Sequence, residues 1–194
     1  AHARFTAFFE QSPFYAGIVY VDGRLVEISR RALEVCGFRR DEVIGKLFWE
    51  TAWWAHSPES RDQVKNGFLA AFRGESFKAQ LNYCFADGSD HITDFCLSPV
   101  FDRSGRVSFA IATGVDITER VRAENELVAA RRRLDSALIA AEMGVYEWAV
   151  GSDRLFGDAN FQKLFQVKTD ETGSASLDAY LKVLHPDDRE ETMR

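Results

Sequence analysis

The amino-acid sequence predicts an α+β protein, with a five-stranded antiparallel sheet that carries helices on one face. A long helix and the beginning of a second, similar unit follow this sheet. Short apolar segments that alternate with period two, separated by tight-turn dipeptides, predict the strands. Residues 117–143 have the composition of one continuous helix, and part of the first pattern then recurs.

The length and composition exclude several classes of protein. The chain has 194 residues, of which 46% are hydrophobic and 28% charged, as in globular proteins of one domain or two small ones. A net charge of -6 provides no broad positive field, so we expect neither nucleic acid nor a membrane surface as a partner. Cys36, Cys84 and Cys96 are odd in number and lack a CxxC pair, which predicts a reduced, cytoplasmic protein.

The first elements are a short helix and a hairpin. Residues 1–12 are predicted to form an N-terminal cap helix, in which Phe5, Phe8 and Phe9 share one side. The segments "AGIVYV" and "RLVEI" then flank Asp22-Gly23, a dipeptide typical of a tight hairpin turn. They are the first two predicted strands.

Helices occupy the middle of the first unit. Ser29 is expected to cap a short helix that ends at Gly37, and "RRDEVIGK" predicts another turn or two of helix. After an aromatic stretch, Ser57 begins a longer helix that runs to about Arg73 and stops at Gly74.

Three further strands complete the predicted sheet. In residues 77–85 the odd-numbered positions are apolar, which predicts that the even-numbered ones, including Cys84, are exposed. The strand "HITDFCLSPV" follows Asp87-Gly88, and the strand "RVSFAIATGVD" follows Ser104-Gly105. One face of this last strand carries only small residues, namely Ser108, Ala110, Ala112 and Gly114; the opposite face carries Val107, Phe109, Ile111 and Val115.

The predicted long helix, residues 117–143, carries a heptad pattern. Its small and apolar residues repeat with 4-3 spacing, at Ala123, Leu127, Ala130, Leu134, Ala137 and Ala141. This spacing predicts a coiled coil between two copies of the chain; the alternative is an ordinary amphipathic helix that lies on its own domain.

A weak internal repeat begins after Met143. The segments "GVYEWAV", "DRLFGD" and "ANFQKLFQV" echo "GIVYV", "GRLVEIS" and "RRALEVCGF". The second copy lacks the three-strand part, so we expect it not to close a core of its own and instead to pack on a neighbour, to swap or to be less ordered.

The ordered set "VDGRLVEISRRALEVCGF", "RDEVIGK", "FADGSDHITDF" and "DRSGRVSFAIATGVDITER" resembles a PAS domain. The likeness covers residues 13–118 well and 144–194 in part, and it predicts a PAS domain over 13–116 and the start of a second PAS domain over 144–194. The cap helix over 1–12 precedes the first domain, and the linker helix over 117–143 separates the two. Many relatives carry Asn before the first core helix, where this chain has Ser29 and, in the second copy, Asp158.

The resemblance implies a non-enzymatic sensor module of a signalling protein, such as a histidine kinase or diguanylate cyclase, with a C-terminal effector domain. In such proteins the last strand feeds into a helix, and the hinge between them is Asp116, Ile117 and Thr118 here. A parallel homodimer is expected, with contacts from Leu127 and Leu134 on the helix and from Phe109 and Ile111 on the sheet.

The resemblance implies that the small face of the last strand points inward, which leaves a space that either aromatic side chains or a ligand must fill. The candidate ligand-binding residues are Trp53, Trp54, His56, Tyr83, Thr93 and Phe95. No cofactor is named. Residues 45–51 lack the flavin-reactive cysteine of light-sensing relatives and residues 60–73 lack an axial histidine for haem, so noncovalent flavin and haem are the less favoured options.

Three other functions are alternatives to that of a ligand sensor. A purely structural dimerisation module would have a self-filled core. A redox sensor would use Cys84 and Cys96, if neighbouring strands brought them close. A small enzyme would need a nucleophile beside a base, and Glu50 near His56 is the only suggestive pair, which chance proximity in a loop explains better.

Overall fold

The computed structural model describes residues 14–192, which form two compact units. The first unit extends to Ala123 and the second begins at Glu124. Within the described residues, no helix is both long and apolar enough to cross a membrane. The predicted cap helix over residues 1–12 lies outside the described part of the chain.

The first unit contains a five-stranded sheet. Its strands are β1 (Tyr15–Tyr20), β2 (Leu25–Ile28), β3 (Phe77–Cys84), β4 (Asp90–Phe101) and β5 (Val107–Asp116). Their order across the sheet is β2-β1-β5-β4-β3, and every neighbouring pair is antiparallel, so the predicted sheet is confirmed. β5 is the central strand, and its inner residues Ala110 and Ala112 belong to the hydrophobic core.

Gly23 makes the turn between β1 and β2 for two reasons. Its φ of +82° is costly for a residue with a side chain. In addition, a Cβ at this position would lie 2.3 Å from the indole ring of Trp49. This aromatic residue therefore packs on the hairpin turn.

Helices cover one face of the sheet. They are α1 (Arg30–Cys36), α2 (Arg40–Val43) and α3 (Pro58–Ala71), with short 3₁₀ turns at Phe48–Glu50 and Ala52–Trp54. Ser57 caps α3 as predicted, because its hydroxyl accepts a hydrogen bond from the Ser60 amide. Ser29 precedes α1, but its hydroxyl accepts from the Ala16 amide of β1 and makes no capping bond. Ser29 therefore joins α1 to the sheet.

Two burial predictions for the strands are wrong. Ser108 is exposed, because the pairing of Val100 with Phe109 and of Phe101 with Val107 leaves it as the extra residue of a β-bulge. The predicted exposed residue Cys84 is buried, because the end of β3 lies against the turn Ala52–Trp54 and the thiol donates to the Ala52 carbonyl oxygen.

The outer face of the sheet is partly covered by its own residues. Ala16 and Ile18 of β1 are buried there, and Val26 and Phe109 pack against them. Ile111, which pairs with Ile18, is half-buried. Phe109 and Ile111, the two predicted sheet contacts of a dimer, thus remain partly accessible.

Helix α4 (Thr118–Ala140) begins two residues after β5 ends. Leu127 and Leu134 of its heptad pattern are 71% and 59% exposed in the single chain. The helix ends three residues earlier than predicted, close to Glu142, whose positive φ of 55° is incompatible with a right-handed helix.

The second unit contains β6 (Tyr146–Ala149), β7 (Arg154–Gly157), α5 (Ala159–Phe165), β8 (Ser174–Ser176), α6 (Leu177–Leu181) and α7 (Pro186–Thr192). The three strands form an antiparallel sheet in the order β6-β7-β8. Leu155, Phe161, Ala175 and Tyr180 form a small core. The expectation that this segment has no core of its own is wrong, because β8, which the sequence did not predict, contributes Ala175.

The two units share local hydrogen-bonding patterns. Gly17 pairs with Ile28 in the first hairpin, and Tyr146 pairs with Gly157 at the same spacing in the second. The residue before the next helix also bonds back to the start of each hairpin. The Ser29 amide donates to the carbonyl oxygen of Ala16 in β1, and the Asp158 amide donates to that of Val145, which directly precedes β6.

Candidate functional site: a small aromatic cavity beside the start of helix α4

A cavity of about 50 Å³ lies between the inner face of the sheet and the helices of the first unit. It exists because β1 and β5 contribute small residues where a core would otherwise be filled. Its wall consists of Tyr15, Ala16, Gly17, Ile28, Ala32, Cys36, Phe48, Trp53, Trp54, Tyr83, Thr93, Phe95, Ala112, Thr113 and Gly114. None of these side chains is an acid, a lysine, an arginine or a histidine.

Five of the six candidate ligand-binding residues come together at this cavity, namely Trp53, Trp54, Tyr83, Thr93 and Phe95. The rings hold each other largely edge to face. Trp54 meets Phe48 at 88° and Phe95 at 78°, with ring centroids 5.8 and 5.7 Å apart. The Trp54 indole N–H donates to the carbonyl oxygen of Phe48 over 3.0 Å, which fixes this ring.

The sixth candidate, His56, lies outside the cavity wall. Its side chain is about half exposed, and Nδ1 lies 2.8 Å from Oδ1 of Asp90. The position follows from the chain path, because His56 comes after the turn that buries Trp53 and Trp54 and reaches the start of β4 instead.

Sequence reasoning missed Tyr15 and Cys36 in the cavity wall. Tyr15 begins β1 and pairs with Gly114 of β5. The small residue on β5 leaves room beside the large side chain of Tyr15, and this was the available signal for its place in the wall. Cys36 ends α1 and is 2% exposed. Burial raises the pKa of its thiol to about 12, against a smaller lowering effect of Trp53, so the side chain is a neutral thiol at physiological pH.

Thr93 lines the cavity with a buried hydroxyl that has no hydrogen-bond partner among the described residues. It is 3% exposed, and its Oγ1 makes no hydrogen bond in the described structure. On the neighbouring strand, Gly114 pairs with Phe95 and lies diagonally from Thr93; a Cβ there would be only 2.8 Å from this oxygen. The glycine therefore leaves room for the Thr93 hydroxyl to stay at the cavity wall.

The predicted hinge residues form a hydrogen-bonded junction between the sheet and α4. Oδ1 of Asp116 accepts from the Thr118 amide over 2.8 Å and from the Thr118 hydroxyl. Ile117 is 7% exposed, and its amide donates to the Ile92 carbonyl oxygen. The Ile92 amide in turn donates to Oγ1 of Thr118 over 2.9 Å. Asp116 caps the start of the helix, and Ile92 fixes that start to β4.

Tyr83 connects the cavity to this junction. Its ring lines the cavity, and its hydroxyl donates to Oδ2 of Asp116 over 3.0 Å. Burial raises the pKa of Tyr83, followed by the effect of its neighbour Tyr15, so the phenol keeps its proton. A single side chain thus contacts both the cavity and the carboxylate that caps α4.

His91 is a second residue of the junction that sequence reasoning missed. Nδ1 lies 2.9 Å from Oδ2 of Asp116 and Nε2 lies 3.0 Å from the Ser89 hydroxyl, while the ring stacks on Phe85 at 3.6 Å. Ser89 donates its hydroxyl proton to Asp87. Both ring nitrogens therefore face acceptors. The signal was present in the sequence, because His91 shares the inward period of Thr93.

Asp116 stays ionised in this environment. Partial burial acts to raise the pKa of its carboxyl group, but the hydrogen bonds from Thr118, Tyr83 and His91 outweigh it and lower the pKa below the ordinary value. The charged form is the one that accepts all of these bonds.

The strand register separates the two cysteines of the redox alternative. Cys84 pairs with Asp90, whereas Cys96 pairs with Lys78, so the two thiols lie at opposite ends of the β3–β4 pair. Six residues of β4 correspond to roughly 20 Å, and a disulfide needs Cα atoms within about 7 Å. The expectation that neighbouring strands bring Cys84 and Cys96 close is therefore wrong.

Residues 14–192 contain no cluster of His, Cys, Asp and Glu side chains that could hold a metal ion.

Comparisons with known proteins agree with the architecture. The hybrid signal transduction histidine kinase D of Dictyostelium discoideum is 32% identical over 115 residues, which cover 58% of this chain and 7% of that protein. The sensor histidine kinase TmoS of Ectopseudomonas mendocina is 30% identical over 135 residues, which cover 63% of this chain and 14% of that protein. The matched segments are small parts of both relatives.

A solved structure described as an RNA-binding light-oxygen-voltage receptor superposes with a TM-score of 0.56 at 22% sequence identity. The superposition covers 70% of this chain and 39% of that one, and at this identity it supports the fold alone. A family model described as the PAS fold matches residues 9–122, which is more than half of the chain. The chain therefore belongs to the PAS family, and the relatives that match it include sensor histidine kinases and other signalling proteins.

Proposed function

We propose that this chain is a non-enzymatic sensor module of a signalling protein, which detects the occupancy of its cavity and transmits it to α4. The observation that supports the proposal is the position of Tyr83, whose ring lines the cavity while its hydroxyl binds Asp116. A ligand that displaces this ring would lengthen or break the bond to Asp116.

Two paths lead from the cavity to the helix. The first runs from Tyr83 through Asp116 to the amide and hydroxyl of Thr118. The second runs along β4, because Thr93 follows Ile92, whose backbone groups bind Ile117 and Thr118. Both paths end on the first turn of α4, so a displacement at the cavity wall changes how that turn is held.

The output element of the proposal is a dimer of α4. Leu127 and Leu134 are exposed in the single chain and lie seven residues apart, which suits the seam of a parallel coiled coil. The half-buried Phe109 and Ile111 offer a second contact on the sheet. A C-terminal effector domain, of the kind found in histidine kinases or diguanylate cyclases, would receive the signal, and the cytoplasm stays its predicted location.

Residues 144–194, which belong to the second unit, are proposed to be the start of a second PAS domain. Its hairpin register and the hydrogen bond from the Asp158 amide to Val145 repeat those of the first unit, which supports the interpretation. Asp158 also caps α5 through its side chain, which accepts from the Phe161 amide over 2.7 Å.

A module with a self-filled core, which serves dimerisation alone, is the second candidate function. The observation in its favour is the small volume of the cavity, about 50 Å³, since aromatic rings already occupy most of the space between sheet and helices. This candidate predicts that the cavity and the helix start behave independently.

Amide hydrogen exchange of the first turn of α4 tests the sensor proposal. Ala112→Val fills part of the cavity without a ligand, and we expect it to change the exchange rates of residues 118–121 at least threefold. In a Tyr83→Phe background the same substitution should have no such effect, because the bond to Asp116 is absent. Tyr20→Phe removes the same atom from an exposed tyrosine of β1 and should preserve the effect.

Unchanged rates at residues 118–121 in Ala112→Val would contradict the sensor proposal and favour the structural module. An effect that persists in the Tyr83→Phe background would contradict the first path and assign transmission to β4.

A further inference from the structure

The chemistry of the cavity wall restricts the class of ligand. Among the described residues, no Asp, Glu, Lys, Arg or His side chain lines the wall. Most of the wall consists of aromatic rings and small apolar side chains. An ion transferred into this space would lose its hydration without an opposite charge to replace it. The ligand must therefore be uncharged.

The size of the cavity sets a second restriction. One water molecule needs about 10 to 15 Å³ of such volume, so the cavity of about 50 Å³ corresponds to a few waters. Pockets for drug-sized ligands and large cofactors measure roughly 300 to 1,000 Å³. A single ring, accommodated by small movements of the surrounding aromatic side chains, is the largest rigid body that this site can take, which excludes a flavin or a porphyrin.

The unpartnered hydroxyl of Thr93 provides the recognition group. A buried polar atom without a hydrogen bond costs roughly 1–3 kcal/mol. Two other polar groups of the cavity wall are engaged elsewhere, since the Tyr83 hydroxyl donates to Asp116 and the Trp54 N–H donates to Phe48. Thr93 is 3% exposed and lines the cavity, so a ligand with one polar atom would satisfy it.

We infer that the cavity binds a compact, uncharged, largely apolar molecule of about one six-membered ring, held by a single hydrogen bond to Thr93. The inference rests on the proposed sensor function, because it names the ligand class of the same site. Cys36 is a thiol of the cavity wall, and burial raises its pKa, which disfavours the thiolate that a covalent bond to the ligand would require.

Calorimetric titration of the full chain with three probes of similar size separates the contributions of the ring, the hydroxyl group and the charge to binding. Phenol has a ring and a hydroxyl group, benzene has the ring alone, and benzoate carries a negative charge. We expect phenol to bind about three- to tenfold more tightly than benzene, which corresponds to one ordinary hydrogen bond. Benzoate is expected not to bind detectably at the concentrations that saturate phenol.

Thr93→Val is expected to remove the preference for phenol over benzene while it leaves benzene binding unchanged. The thermal midpoint of the ligand-free variant should stay the same or rise, because an unsatisfied buried hydroxyl is replaced by a methyl group of the same shape. Thr51→Val is the matched control: Thr51 is 2% exposed, but its hydroxyl donates to the Phe48 carbonyl oxygen over 2.7 Å. That variant should lose stability and keep the preference for phenol.

Tighter binding of benzoate than of phenol, an unchanged phenol preference in Thr93→Val, or no binding of phenol and benzene would each overturn the inference. These outcomes are distinguishable from a failure of the sensor proposal, because the exchange experiment on Ala112→Val uses no ligand. A positive exchange result beside a negative titration means that the site senses another class of molecule.

Discussion

Asp116 is the last residue of the sheet, and α4 begins two residues later. Its two carboxylate oxygens divide the contacts, since Oδ1 binds the amide and hydroxyl of Thr118 while Oδ2 faces Tyr83 and His91. One oxygen thus holds the helix, and the other contacts side chains of the sheet. The same carboxylate therefore contacts both the sheet and the helix.

The charge of Asp116 predicts a pH dependence of stability. Hydrogen bonds from Thr118, Tyr83 and His91 lower the pKa of this carboxyl in the folded state, although burial opposes them. A lowered folded pKa contributes stability that is present above the unfolded pKa of about 4 and is lost as the pH falls through the folded value. We therefore expect the free energy of unfolding to fall below about pH 4.

Asp116→Asn should lower the free energy of unfolding at pH 7 by about 1–3 kcal/mol, because the amide retains only part of the hydrogen bonding. The difference from the wild type should shrink as the pH falls from 5 to 3, since the wild-type carboxyl then takes up a proton. Urea unfolding at a series of pH values measures both effects. A difference that stays constant across this range would contradict the assigned role of the charge.

At the residue scale, most of the candidate site could be predicted from the sequence. Period two placed Tyr83, Thr93 and Phe95 on the inner face, and the aromatic stretch supplied Trp53 and Trp54. His56 was not brought to the cavity, because neighbourhood in sequence does not tell on which side of a turn a side chain emerges. His91 has the right period, but its role depends on Asp116, which is 25 residues away and reachable only through the sheet pairing.

At the scale of elements, α3 packs against the sheet through a close contact that could not be predicted from its own sequence. Gly67 lies within this helix, and a Cβ there would come within 2.5 Å of the Phe77 ring at the start of β3. A glycine in a helix costs about 1 kcal/mol relative to alanine. The cost is accepted here because the missing Cβ lets helix and strand approach.

Gly67→Ala is therefore expected to lower the free energy of unfolding by about 1–3 kcal/mol, even though alanine favours the helix. A Phe77→Leu background, which removes the ring, should make the same substitution neutral or stabilising. Chemical unfolding of the four variants measures the difference. Equal stability of Gly67→Ala and the wild type would mean that Phe77 moves aside freely.

Local sequence patterns predict the five strands of the first sheet but not its bulge, the burial of Cys84 or the short strand β8. Turn dipeptides and alternation predict the five antiparallel strands, because both are local properties of the chain. The bulge that exposes Ser108 and the turn that buries Cys84 arise from the partner strand and from a neighbouring turn. Similarly, β8 has only three residues, Ser174–Ser176, which is too short for an alternating pattern to be recognised.

At the scale of the whole molecule, the proposed function requires a second copy of the chain. Leu127 and Leu134 are exposed apolar residues on α4, and their burial against a partner helix is the expected driving force of association. A parallel pair would present both hinges at the same end. Each cavity could then act on a shared output.

The double variant with Leu127→Ala and Leu134→Ala should shift the protein from dimer to monomer, which sedimentation velocity measures. A control with Leu69→Ala and Leu164→Ala makes the same change at two other exposed leucines and should remain dimeric. A wild type that sediments as a monomer, or a double variant that sediments like the wild type, would contradict the coiled-coil interpretation.

The proposed function requires that the cavity and the start of α4 form one coupled system. Ala112 and Asp116 lie four residues apart on β5, or roughly 13 Å. At such distances independent substitutions usually add within about 0.3–0.5 kcal/mol.

The most direct test is a double-mutant cycle that measures the free energies of unfolding of the wild type, Ala112→Val, Asp116→Asn and the double variant. Coupling through Tyr83 predicts an interaction energy of about 1 kcal/mol, above the limit for independent sites. Additive changes within about 0.3 kcal/mol would contradict the claim that the cavity acts on the helix.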